Sequence, residues 1–173
     1  MNSKLRRTSS VVVVLVLVGA LLHAFGGNAA ARSNREGRLQ GTWRVQLNPR
    51  NCQTGAPIPS FAVLLSFHRG GTLTEVINAQ ALLPGQRTPG LGVWSHTQGN
   101  AYKGVWDAFI LFDSPVFKRG VQRLMWDFEV DGDQLTIAAT SQFLDPNGNP
   151  FIPPINTCAS GTGTRFEEPQ DED

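Results

Sequence analysis

The side chains of this 173-residue chain best placed to do chemistry are the polar ones that interrupt its apolar runs. Glu75 stands within "TLTEVIN" at alternate spacing from Leu73 and Ile77, so in an extended strand the three share one face. If that face is inward, the carboxyl is desolvated and its pKa rises, as a general acid or base requires. If it is outward, Glu75 is an ordinary solvated acid, the commoner situation. His96 shares the face of Gly92 and Trp94 and could transfer a proton or bind a ligand, although a lone strand histidine is more often structural. Tyr102 is a third proton source. Arg87, in "QRTPG", and Arg123 are candidate anchors for an acidic ligand, with a surface charge as the ordinary expectation for each. Asp107 and Asp127 each follow a tryptophan, the order expected when an indole is buried and its neighbour faces water. No Ser-His-Asp spacing, HExxH, phosphate loop or Cys-x-x-Cys occurs, so any catalysis must be assembled from dispersed strand residues, with no cofactor or metal implied.

The two cysteines, Cys52 and Cys158, stand near opposite ends of the chain. A catalytic or metal-bound thiol competes with a disulfide, but no second sulfur ligand or histidine pair lies at metal spacing. The N-terminus bears on the choice. Lys4, Arg6 and Arg7 precede an uncharged run from Val11 to Leu22, followed by Ala29-Ala30-Ala31, the pattern of a secretory signal peptide cleaved after Ala31. That run is short for a membrane span, which needs about 18 or more apolar residues. Export to an oxidising compartment, secreted or periplasmic, favours a Cys52–Cys158 disulfide. Cleavage removes three of the 15 basic residues and none of the 14 acids, leaving a net charge of −2, which attracts no nucleic acid.

The implied organisation is a signal peptide at 1–31, a solvated disordered leader at 32–38, one domain at 39–167 and an acidic disordered tail at 168–173. No helical periodicity of useful length appears in the domain. Short β-branched and aromatic runs recur instead, at 39–47, 61–68, 72–78, 91–97, 101–113, 121–130, 134–144 and 161–167. The links 69–71, 98–100 and 131–133 place glycine where tight hairpins need it, which implies an up-and-down meander. An open meander leaves two unpaired edges, and closure removes both. Pairing the first and last strands with Cys52 opposite Cys158 sets Leu47 against Gly163 and Val45 against Arg165. A sandwich could also bring the cysteines together, but the near-complete overlap of the two strands favours closure, and the expected fold is all-β: a closed eight-stranded antiparallel up-and-down barrel with one disulfide.

Gly41-x-Trp43 on the first strand and Arg165 on the last resemble the lipocalin and wider calycin barrels, with the closest likeness to short secreted bacterial barrels. The resemblance implies that Trp43 closes the barrel floor with Arg165 packed across it. It covers most of 39–167 as architecture and only these two motifs as sequence; the Thr-Asp-Tyr type turn and the long C-terminal helix of the family are absent.

Such barrels can hold one small ligand. Trp94, Tyr102, Trp106, Phe112, Trp126, Phe128 and Phe143 supply walls for an apolar or amphipathic guest, with Glu75 and His96 as polar anchors, and a filled core is the competing arrangement. The Pro-rich segments 79–90 and 145–160 border the entrance in this reading. The expected function is sequestration of a small hydrophobic or amphipathic molecule. A cofactor-free cyclase or isomerase using Glu75, His96 or Tyr102, and an interaction protein with a filled barrel, are the alternatives. Apolar residues on both faces of 61–67 and 109–112 imply an outer wall covered by loops or by a partner chain, the latter a homodimer through the barrel wall. No membrane partner is expected after cleavage.

Overall fold

The computed structural model describes residues 37–167 except 116 and 153, so the signal peptide, most of the leader and the acidic tail lie outside the described residues. Eight strands follow in chain order: β1 (Gly41–Asn51), β2 (Phe61–Phe67), β3 (Thr72–Asn78), β4 (Gly90–Gln98), β5 (Ala101–Ile110), β6 (Gly120–Asp131), β7 (Gln134–Leu144) and β8 (Asn156–Arg165). Each pairs antiparallel with its sequence neighbour, and β8 pairs with β1, closing the barrel. Among the described residues no helix is long and apolar enough to cross a membrane.

Strict alternation carries the core. Trp43, Val45 and Leu47 of β1, Val63, Leu65 and Phe67 of β2, and Trp126, Phe128 and Val130 of β6 all point inward. The tight turns follow the glycine pattern, with positive φ at Gly70, Gly71, Gly99 and Gly132. These short turns gather at one end of the barrel. The longer links 52–60, 79–89, 111–119 and 145–155 gather at the other, which forms the mouth.

At the closed end, the Trp43 indole donates from Nε1 to the Leu39 carbonyl at 2.9 Å. The Arg165 guanidinium lies 4.2 Å from the centroid of the Trp43 ring, and its nitrogens donate to the carbonyls of Arg38 and Gln40 and to Asp133. Gly41 holds φ 115°, a conformation that L side chains rarely adopt, and a Cβ there would also stand 3.1 Å from Arg165 Nη1.

Two expectations are corrected. The β1–β8 register is offset by two residues, with Val45 against Gly163 and Trp43 against Arg165. The disulfide is real, with Cα atoms 5.1 Å apart, but it is diagonal. Asn51 ends β1 by capping a turn, its side chain accepting from the amides of Gln53 and Thr54, so Cys52 leaves the strand and reaches back to Cys158, whose direct partner is Arg50. An even offset keeps every side chain on its expected face. The second correction concerns Phe112, expected on a central strand. β5 ends at Ile110 because the chain turns away, the Leu111 amide donating to the Gln86 carbonyl and the Ser114 amide to that of Phe117, and Phe112 meets Phe117 at a tilt, ring centroids 5.8 Å apart, in the loop beyond.

Candidate functional site

Most of the aromatic residues singled out from sequence pack on one another toward the closed end. Phe67 meets Trp94 and Phe128 edge-on at 6.0 and 5.1 Å, and Trp106 meets Trp126 at 4.7 Å. Trp94 donates to the Thr72 carbonyl at 2.9 Å and is edge-on to Tyr102. His96 is half-buried near the β4–β5 turn, against the Tyr102 ring at 5.2 Å, with Nε2 3.0 Å from the Gly99 carbonyl. Small residues opposite these rings make the fit possible. A Cβ on Gly92 would meet Trp106 Cβ at 2.3 Å, and one on Gly104 would meet Phe128 at 3.0 Å. These rings and the glycines facing them pack closely through this half of the barrel.

Above it lies a band of polar residues. Glu75 follows Leu73 onto the inward face of β3 and is 1% exposed, so the strand phase resolves in favour of burial. Its partner is Arg87, expected from the sequence to be a surface charge. The Arg87 side chain is 4% exposed, with Nη2 2.8 Å from Glu75 Oε2. The 79–89 link makes this possible by lying against the end of β5: Arg87 bridges to Ile110, and the Thr88 amide donates to the Phe109 carbonyl. Gly90, paired with Glu75 across β3–β4, leaves the space. A Cβ there would stand 2.7 Å from Glu75 Oε2 and 2.5 Å from Trp106 Cδ1.

The carboxyl therefore sits among a guanidinium, an indole N–H and the Gly90 backbone, and its pKa is still raised from the ordinary value of 4.5 because burial outweighs Arg87 and the smaller hydrogen-bonding contributions of Trp106 and Gly90. The contacts are close but poorly directed. Both Glu75 oxygens, Arg87 Nη2 and Trp106 Nε1 lack an aligned hydrogen bond, so the pair is held by charge more than by hydrogen-bond direction.

From Arg87 the polar band continues across the barrel. Arg87 Nε donates to Gln122 Oε1 at 2.7 Å, Gln122 Nε2 faces Ser141 Oγ at 3.5 Å, and Ser141 and Thr157 share a hydroxyl bond of 2.5 Å. Over this band, at the mouth, is a cavity of about 140 Å³. Phe61, Ile77, Leu82 and Phe143 form much of its wall, and Gln122 and Thr157 bring the polar band to its surface. Glu75, Arg87 and Trp106 are not among its lining residues; Arg87 instead borders an adjoining depression of about 250 Å³ that shares Ile77 and Leu82 with it. The arrangement suits an apolar body with one hydrogen-bonding tip.

Of the residues proposed from sequence as ligand contacts, Trp94, Tyr102, Trp106, Trp126 and Phe128 are in the packed half, Glu75 is in the polar band, and Phe112 and His96 are outside the cavity. Phe143 lines it. Gln122, Ser141 and Thr157 were not singled out. Ser141 shares the inward face of Ala139 and Phe143, and that alternation was a signal that could have found it. Among the described residues no group of histidine, cysteine and carboxylate side chains is placed to hold a metal ion. Comparison with family profiles, with curated proteins and with solved structures finds no match.

Proposed function

We propose that this protein binds a small amphipathic molecule in the mouth cavity and sequesters it outside the reducing cytosol. The observation that carries the reading is an apolar cavity of about 140 Å³ that ends on the polar side chains of Gln122 and Thr157. Its volume is close to the roughly 150 Å³ of an apolar protein cavity that takes up benzene, so a single ring or a short acyl tip is the guest that fits. Leu82, from the 79–89 link, borders the cavity and serves as part of its rim. The signal-like N-terminus and the Cys52–Cys158 disulfide support export.

Phenol and benzene, compared by amide chemical-shift titration, test the reading. Phenol is expected to shift Ile77, Gln122, Phe143 and Thr157 saturably and to bind more tightly than benzene, with Gln122→Leu reversing that order. Shifts confined to other walls, or none that saturate, overturn it.

The buried Glu75 carboxyl, with its raised pKa, favours a second reading as a proton-transferring cyclase or isomerase. That reading requires a substrate to reach the buried Glu75 carboxyl, which does not line the mouth cavity. Turnover abolished by Glu75→Gln in a folded protein is its signature.

A further inference from the structure

The outer wall carries an independent feature. On β4, β5 and β6 the outward residues Val93, Val105 and Met125 form one rung, paired across the sheet, and they are 54%, 40% and 42% exposed. Around them the wall is concave, a depression of about 390 Å³ bordered by Lys103, Asp127 and Thr140. Leu91 and Phe109, also exposed, extend the apolar surface toward the mouth. Contiguous apolar surface of this kind marks interaction sites.

Charges frame the Val105–Met125 rung in a checkerboard. On its closed-end side Lys103 pairs with Asp127 at 3.5 Å. On its mouth side Asp107 receives two hydrogen bonds from Arg123, at 2.9 and 2.8 Å. Read from the closed end to the mouth, the order along β5 is positive, valine, negative, and along the antiparallel β6 it is negative, methionine, positive.

Such a pattern is complementary to itself. A two-fold axis between two copies, parallel to the strands and midway between β5 and β6, sets Lys103 over Asp127 of the second copy, Asp107 over Arg123, and Val105 over Met125. An axis perpendicular to the strands through the rung sets Lys103 over Asp107 and Asp127 over Arg123. Opposite charges meet in both cases, as an isologous interface requires. We propose that this wall is a self-association face, and that its occupant is a second copy of this chain.

Sedimentation velocity over a concentration series tests the proposal on the purified protein. A reversible monomer–dimer equilibrium is expected, weakened by salt because the four charges are exposed. Met125→Lys abolishes it. Asp127→Lys sets like charges together under either axis and raises the dimer dissociation constant by about tenfold or more. Inverting all four charges (Lys103→Asp, Asp107→Lys, Arg123→Asp, Asp127→Lys) restores the dimer. A protein that stays monomeric, a dimer indifferent to Asp127→Lys, or a folded inverted variant that remains monomeric overturns the proposal. None of these residues lines the mouth cavity, so phenol binding reports separately.

Discussion

Arg87 Nη2 lies 2.8 Å from Glu75 Oε2, and both side chains are almost entirely withdrawn from solvent. One belongs to a strand and the other to a loop, so the pair ties the 79–89 link to the barrel interior. Removing one charge strands the other. Arg87→Met is expected to cost about 3–5 kcal/mol in denaturant unfolding, whereas the double variant Glu75→Leu/Arg87→Met recovers most of that loss. Single and double variants of equal stability would show that the two charges are not coupled.

The same carboxyl gives the protein a pH signature. A group whose folded pKa lies above its unfolded value adds stability in full below that unfolded value, and loses it as pH rises through the folded pKa. Glu75 is raised from 4.5, chiefly by burial, so its contribution should decline as pH rises above 4.5. Subtracting the pH–stability curve of Glu75→Gln from that of the parent isolates this slope. A difference that grows with pH instead would mean that Arg87 overcomes desolvation.

Gly90 is required for space. An alanine Cβ would fall 2.5 Å from Trp106 Cδ1 and 2.7 Å from Glu75 Oε2, against two side chains fixed in the interior. Gly90→Ala is expected to cost about 1–3 kcal/mol and to change the tryptophan emission as the Trp106 indole moves. An unchanged melting curve would place the carboxylate and the indole elsewhere.

The disulfide closes a loop with a sequence separation of 106, and in the chain-entropy model a loop of about 100 residues is worth roughly 4.7 kcal/mol. Substituting serine at both Cys52 and Cys158 should lower the unfolding free energy by about 2–5 kcal/mol, and adding reductant to the parent protein should match that loss. The circular dichroism of the folded state should survive, because nine rungs join β1 to β8 without the sulfurs.

The closed end supplies a test of geometry. Arg165 stacks on Trp43 while its nitrogens reach Asp133 and two carbonyls, an arrangement that a planar fork can make and an ammonium cannot. Arg165→Lys should therefore destabilise nearly as much as Arg165→Ala, by about 1–3 kcal/mol as measured in urea.

Much of this architecture was legible in the order of residues. Alternation along β1 separates Trp43, Val45 and Leu47 from Thr42, Arg44 and Gln46, and the inward set is the one observed. Turn glycines at 69–71, 98–100 and 131–133 located the hairpins, and the cysteines located the closing seam. The site was only partly legible. Glu75 could be put on the face of Leu73, yet whether that face was the interior depended on the remaining strands. Phe112 was misplaced because an apolar run continues past Ile110 although the β5 ladder stops there.

What the sequence determined alone is therefore local: strand positions, the two side-chain sets of each strand, and the turns between them, because a period of two and the positive φ of glycine act over a few neighbouring residues. Tertiary structure decided the rest. Arg87 is a polar loop residue in any short window, and it becomes the partner of a buried carboxylate only because backbone bonds from Thr88 and Leu111 hold its loop against β5. The mouth cavity likewise draws on β1, β2, β3, β6, β7 and β8 and on loop residues between them, groups that become neighbours only when the barrel closes.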